Sequence, residues 1–301
     1  MSQPAPLPFV SIIVPVYNDR KRIGRCIESL LRQSYPADRR EIIIVDNNST
    51  DGTRDVIGRY PVTLLIEKDR QSSYAARNLG IRHAKGDILA FTDSDAWAHA
   101  HWLRFAVEAM QRDGIEYVAC RVKMFFGEGA RPTLLDMVDF HFAFNNEPDL
   151  AATHSTPTVA MITWRRVIEK TGPFCEELIS GGDVDFGSRV WKAGFRQGYV
   201  HESLVYHPCR STLKAFLRRT WRYGRGRLVL SRRFPDRFGE PWPHVLDWRS
   251  YLPPHPVRFR RRVTRYFRLS LPAVAIVFAY YYLNRMTYQL SKWVALLSGA
   301  R

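Results

Sequence analysis

Cysteine is scarce and scattered. The four residues Cys26, Cys120, Cys175 and Cys209 show no Cys-x-x-Cys spacing and no histidine partners at finger spacing. That excludes a zinc finger and a disulfide-stapled scaffold, and it predicts reduced thiols in a cytosolic setting. No Gly-x-Gly-x-x-Gly follows the first apolar run, which argues against a dinucleotide fold. The segment Met1 to Pro8 has neither a basic start nor an apolar core, so no export is expected. The apolar tail offers an uncharged run of only 15 residues, Leu269 to Leu283, against the roughly 20 that cross a bilayer as a helix. Acidic residues almost vanish near the C-terminus: three stand against 17 lysines and arginines from Arg210 to Arg268, and none follows Leu269.

The 301 residues, 46% of them hydrophobic, suffice for one large α/β domain with appendages. Residues 1–209 are nearly neutral, with 25 basic and 26 acidic side chains, so the net charge of +16 is a C-terminal property. Val10 to Val16 reads as a buried strand, and Ile23, Cys26, Ile27, Leu30 and Leu31 recur at helical spacing after it. Glu41 to Val45 is a second strand ending at Asp46, with turn residues Asn47 to Thr53 behind it. A third strand, Val62 to Ile66, precedes a helix over Ser72 to Ala84, and Ile88 to Phe91 is the fourth. Alternation of this kind predicts a largely parallel sheet with helices on both faces. Further on, the pattern predicts strands at Tyr117 to Met124, Val159 to Trp164 and Ser203 to Tyr206, and a helix from about Asp183 to Ala193.

The fourth strand runs into Thr92-Asp93-Ser94-Asp95. Side chains two apart on extended chain share a face, so Asp93 and Asp95 are expected to converge on one hard divalent cation at a carboxyl edge, where open α/β sheets bind ligands. Ala96 and Trp97 read as a turn into a helix beginning near His99. Taken alone the pair also fits a solvated cap.

Five segments in order carry a resemblance: Val10 to Asn18, Val45 to Thr53, Ala76-Arg77-Asn78-Leu79-Gly80, Thr92 to Asp95, and Ser180-Gly181-Gly182-Asp183-Val184-Asp185-Phe186. Over about residues 8–225 the chain resembles the family 2 glycosyltransferases of GT-A fold. The resemblance implies an inverting, metal-dependent transferase using a nucleotide diphosphate sugar donor, Mn2+ or Mg2+, and a glycan or lipid-linked hydroxyl acceptor in cell-surface polysaccharide or glycolipid synthesis. It implies that Pro15, Tyr17 and Asp46 line the nucleotide-base pocket, with Tyr17 stacking and Asp46 accepting from a base N–H. Arg77 then meets the nucleotide or its phosphates, as a forked guanidinium suits. Asp95 is the implied metal ligand, Asp93 reaches the ribose or the metal through water, and His207 joins the metal or diphosphate site. Asp183 matches the carboxylate that deprotonates the acceptor. Gly182 stands where many relatives have Glu, and Asp185 is an alternative base or a helix-start cap. The residues also admit plainer readings: a half-exposed aromatic at Tyr17, a turn cap at Asp46, a surface ion pair at Arg77, and a structural histidine at His207.

Three domains are expected: the GT-A catalytic domain over 1–209, a basic helical extension over 210–268 completing the acceptor side, and an apolar membrane-associating segment over 269–301. In the basic segment, Arg218 to Arg227 suits a diphosphate clamp or a lipid-phosphate contact. Thr220 separates Arg219 from Trp221, a departure from the Arg/Gln-x-x-Arg-Trp element of processive relatives, so polymerisation is not inferred. Pro241-Trp242-Pro243 and Pro253-Pro254-His255-Pro256 break the segment. Arginines from Arg258 to Arg268 beside the apolar run suit an anionic cytoplasmic leaflet, with peripheral or C-terminal anchoring. A helix packed on the enzyme and a homodimer contact are the alternatives for that run. Two other functions remain to be weighed: a sugar-nucleotide-forming nucleotidyltransferase, whose Gly-rich loop with a following Lys is absent, and a non-enzymatic basic protein binding membranes or nucleic acid. The transferase reading itself requires no nucleic acid.

Overall fold

The computed structural model describes residues 6–126, 132–142, 144, 146–238, 247–264 and 268–298. Pro241-Trp242-Pro243 and Arg265 lie outside them. In chain order the elements begin β1 (Val10–Val16), α1 (Ile23–Leu31), β2 (Arg40–Asp46), α2 (Thr53–Ile57), β3 (Thr63–Ile66), α3 (Ser73–His83), β4 (Ile88–Phe91), β5 (Trp97–Ala98) and α4 (Trp102–Asp113). They continue with β6 (Tyr117–Phe125), α5 (Leu134–Phe142), α6 (Asn146–Thr153), β7 (Met161–Trp164), α7 (Arg165–Thr171), α8 (Gly182–Lys192), β8 (Gln197–Pro208), α9 (Leu213–Arg233), α10 (Pro235–Phe238), α11 (Pro256–Thr264) and α12 (Leu271–Leu297).

One sheet of eight strands runs in the order β3-β2-β1-β4-β7-β6-β8-β5. Its first four strands are parallel, and the apolar runs of β1 and β4 are buried along their whole length, as central parallel strands covered on both faces are. Beyond β4 the sheet is mixed, because β7 pairs antiparallel with both β4 and β6, and β5 antiparallel with β8. The predicted helix near His99 gives way to the two-residue strand β5, with α4 starting only at Trp102. β8 is longer than its apolar core suggests: Gln197, His201 and Glu202 interrupt the alternation, and sheet position holds them extended regardless.

The chain divides into two compact units. The first comprises Met1–Lys123, Phe144–Glu177 and Gly182–His207, and its core sets Ile12, Val14, Ile44, Ala90, Ile162 and Val205 of the sheet among Ile23, Ile27, Leu103 and Val107 of the helices. The second comprises Met124–Ala143, Leu178–Gly181 and Pro208–Arg301. The expected boundary at 209 thus falls beside Pro208, while the basic segment and the apolar tail share one unit.

In that second unit, Leu135 and Val138 of α5, Phe216 of α9, Phe259 and Val263 of α11 and Val277 of α12 form a separate core. α9 and α12 approach closely because Gly224 has no side chain: a Cβ there would strike Ser291 and lie 2.5 Å from the Tyr288 carbonyl. One turn earlier, Thr220 donates to Asn284 Oδ1, so the residue that interrupts the processive-type motif is turned inward. Buried Asp139 gathers Arg219 at 2.6 Å and Arg210 at 3.7 Å, and it also accepts the Arg210 N–H. These two arginines are thereby committed to internal structure.

Candidate active site

The ends of β1 and β2 lie side by side, with Pro15 opposite Val45 and Val16 opposite Asp46. The loops beyond them are laced together. Asn18 N–H donates to Ser49 Oγ at 2.8 Å, Thr50 N–H to Asn18 Oδ1 at 2.8 Å, and Asp19 N–H to Thr53 Oγ1 at 2.9 Å. Asn18 and Asn48 take positive φ to make these turns, which asparagine tolerates better than most residues. The lacing holds Tyr17 half-exposed at 51%. Asp46 is fully buried; its Oδ2 accepts from Ser49 N–H at 3.0 Å and from Arg54 Nε at 2.6 Å, while its Oδ1 has no hydrogen-bond partner. The turn-cap reading of Asp46 therefore describes one oxygen and leaves the other over. A buried acceptor left unpaired is costly.

Asp93 and Asp95 do come together, though by a different route from the one expected. The chain turns directly after β4, with Ala96 N–H donating to the Asp93 carbonyl at 3.1 Å. It is this turn, and not strand alternation, that brings the two carboxylates to one place. β5 then pairs with β8 so that Trp97 faces Tyr206, and the next step of that register carries His207 toward Asp95. The His207 Nε2 lies 3.4 Å from Asp95 Oδ1. The imidazole is buried, with Phe144 against it at 5.0 Å between ring centres. One donor atom each from Asp93, Asp95 and His207 lies within 4.8 Å of the others. Two hard carboxylate oxygens and one imidazole nitrogen form a donor set that fits a divalent cation such as Mn2+.

Arg77 on α3 is a buried residue and not a surface ion pair. Its Nη2 donates to Asp93 Oδ1 at 2.5 Å and its Nη1 to the Ser73 carbonyl at 3.3 Å. On the other side, Arg22 Nη1 reaches Asp95 Oδ2 at 3.2 Å, and its Nε is held by Asp19 Oδ1 at 2.6 Å. Asp19 Oδ2 in turn accepts from Ser94 Oγ at 2.7 Å. Sequence reading missed both Asp19 and Arg22. The available signal was an acid and a base three apart at a helix start, a pattern too common to single out without its partner Ser94-Asp95.

Asp183 opens α8 and accepts from Val184 N–H at 3.0 Å. Burial pushes its carboxyl above the ordinary aspartate value; the Val184 N–H, the Arg77 charge and its own N–H pull it down, and Asp93 pushes it further up. A carboxylate raised by desolvation is a better proton acceptor than one in water. The residue before it is glycine for a steric reason. A Cβ at Gly182 would lie 2.7 Å from the Tyr74 ring, whose hydroxyl receives the Gly182 N–H at 3.0 Å. Tyr74 fills the space a glutamate would need. Asp185 is buried and bound to Arg189 at 2.9 Å. Arg189 also donates to the carbonyls of Thr171, Gly172 and Pro173, so the Asp185–Arg189 pair staples α8 to the end of α7.

Comparisons with known proteins identify the family and the fold. The sequence profile of the family described as Glycosyl transferase family 2 matches residues 11–171. Glycosyltransferase AglE of Haloferax volcanii is 34% identical over 227 residues, 74% of each chain. A Methanococcus voltae enzyme, dolichyl N-acetyl-alpha-D-glucosaminyl phosphate 3-beta-D-2,3-diacetamido-2,3-dideoxy-beta-D-glucuronosyltransferase, is 26% identical over 242 residues, 75% of this chain and 74% of its own. Among solved structures, the mannosyltransferase PcManGT of Pyrobaculum calidifontis, in complex with GDP-Man and Mn2+, superposes with a TM-score of 0.69 at 21% identity, covering 99% of this chain and 89% of that one.

Proposed function

The chain belongs to glycosyl transferase family 2 and is a glycosyltransferase using a nucleotide sugar, and we propose that the convergence of Asp93, Asp95, His207 and Asp183 in the first unit is its reaction centre. The family match sets aside the nucleotidyltransferase and the purely binding alternatives. Asp95 and His207 are the metal ligands in this reading, with Mn2+ or Mg2+ as the ion. The cation, when bound, neutralises charge on the departing nucleoside diphosphate. Arg77 orients Asp93 through its hydrogen bond to Oδ1 and would keep a positive charge beside the donor phosphates. Tyr17 offers its exposed ring to the base beside Pro15, and the unused Oδ1 of Asp46 accepts a base N–H, which would relieve that buried oxygen.

Asp183 takes the proton of the acceptor hydroxyl as that oxygen attacks the anomeric carbon. The bond from the anomeric carbon to the diphosphate oxygen breaks on the opposite side, the nucleoside diphosphate leaves, and the configuration inverts. The observation that carries this assignment is the position of Asp183 at the start of α8, within electrostatic reach of Arg77 and Asp93. The acceptor is a sugar on a lipid phosphate, in cell-surface glycan synthesis at the cytoplasmic membrane face. The Methanococcus relative's name describes such an acceptor, and the C-terminal charge of 17 basic against three acidic residues suits an anionic surface.

The test is a screen of uridine, guanosine, thymidine and cytidine diphosphate sugars with Mn2+ present or chelated, read by thermal shift. Stabilisation by one donor that vanishes on chelation supports the reading and identifies the base. Metal-independent stabilisation by all or none would overturn the assigned centre.

A further inference from the structure

α12 is apolar on two opposite faces. Val274, Val277 and Ala295 point inward and are buried, and its contacts there are α9, α5 and α11 of its own unit. The opposite face carries Ile276, Leu283, Leu290 and Leu297 at intervals of seven, with Val294 between the last two, and these five side chains are 38% to 80% exposed. Seven residues are close to two helical turns, so they form one straight stripe along a helix of 27 residues, about 40 Å long at 1.5 Å per residue. Trp248 joins it at one flank, 64% exposed, on a short 3₁₀ turn whose Tyr251 carbonyl accepts from Tyr282 of α12. An uncharged stripe of this length on open surface marks an interaction site.

Two occupants suit a leucine stripe, a second copy of the helix and a bilayer surface, and charge separates them. The segment from Arg210 onward carries three acids in all, and Arg258, Arg260 and Arg261 of α11, which packs on α12 through Phe259 against Phe278 and Tyr281, are exposed. A second copy would set one strongly cationic unit against another. An anionic lipid surface meets the leucines with acyl chains and is attracted by the net positive charge of the unit. No helix among the described residues is long and apolar enough to cross a membrane. We propose that the outer face of α12 docks flat on an anionic bilayer, its leucine stripe entering the acyl boundary and Trp248 at the headgroup level, with the positive field of the whole unit favouring anionic lipid. The inference rests on the membrane-face reading above and specifies the surface and the mode.

Flotation of the full chain with vesicles of phosphatidylcholine, alone or with phosphatidylglycerol, tests it. Wild type is expected to float with the anionic vesicles at least tenfold better. The double variant Leu283→Gln/Leu290→Gln, altered only at exposed positions, is expected to lose most of that binding. Arg258→Gln/Arg260→Gln/Arg261→Gln should weaken the anionic preference alone. A donor-induced thermal shift equal to wild type shows that each variant is folded. A leucine variant that floats as well as wild type overturns the docking mode and leaves the membrane-face reading standing. Wild type that floats with neither vesicle overturns both. A wild-type dimer by light scattering that the leucine variant dissociates, with flotation unchanged, makes the stripe a copy-to-copy contact and overturns the proposal.

Discussion

Arginine does different work in the two compact units. In the first, Arg22 is paired with Asp95, Arg54 with Asp46, Arg77 with Asp93 and Arg189 with Asp185; each guanidinium fixes the direction of a carboxylate. In the second, Asp139 holds Arg210 and Arg219, whereas among the described residues Lys214, Arg218 and Arg222 have no acidic partner and lie exposed. Arginine within a balanced charge set positions a site, and arginine in excess makes a surface field. Substitutions in the first unit should therefore change chemistry or donor binding, and substitutions in the second should change where the protein sits.

The sharpest way to break that division is Asp183→Asn. We expect turnover to fall by roughly 10²–10⁴-fold, the usual contribution of a general base, with Mn2+-dependent donor binding retained in a thermal-shift titration. Undiminished turnover would place the base elsewhere. Asp95→Asn and His207→Ala should instead weaken Mn2+ affinity in the absence of donor, by about 10–100-fold or more, since partners that merely orient ligands already cost that much; titration calorimetry of metal into the free protein reads this directly. An equal loss on Arg218→Gln would erase the contrast between the units.

A smaller effect concerns pH. The folded-state carboxyl of Asp183 is raised chiefly by burial, so the acid limb of kcat/KM should lie above the ordinary aspartate value. The same shift has a stability consequence whose sign is fixed. The folded state holds this proton more tightly than the unfolded chain, so stability falls as pH rises from the unfolded value through the folded one, and the burden persists at neutral pH. Asp183→Asn should then raise the melting temperature at pH 7 and leave it unchanged well below both values. A destabilised Asn variant at neutral pH would show that the charge is satisfied after all. Smallest in its reach is Gly224→Ala, expected to cost on the order of 1–3 kcal/mol by overpacking α9 against Ser291 of α12. Chemical denaturation should register that loss, while kcat with a soluble donor stays within about twofold if the units act separately.

Much of the first unit could be read along the chain. Its parallel strands are short, largely apolar runs rich in isoleucine, valine and leucine, and β1 appeared at Val10–Val16 as expected. The ordered motifs pointed to Asp46, Asp93, Asp95 and Asp183 at or just beyond strand ends or at a helix start, where local pattern is strong, and to Arg77 within α3. β5 escaped notice because two residues carry no periodicity, and with it went the explanation for His207. The pairing of Asp185 with Arg189, and through it with the carbonyls that end α7, could not be read from the motif alone. α12 was ambiguous because an apolar run reports how much hydrophobic surface a helix has and not which part of it is covered.

By itself the sequence determined the family, the parallel half of the sheet, the acidic pair and the cationic C-terminal segment, since each is a property of neighbouring residues or of composition. Only the tertiary structure decided that His207 meets Asp95, that Arg22 reaches Asp95 and Asp19 reaches Ser94, that Tyr74 forbids a side chain at 182, and that one face of α12 is left open. Those outcomes depend on strand pairing and close packing between distant segments, and the chain encodes such contacts jointly in all their partners, so no single stretch displays them.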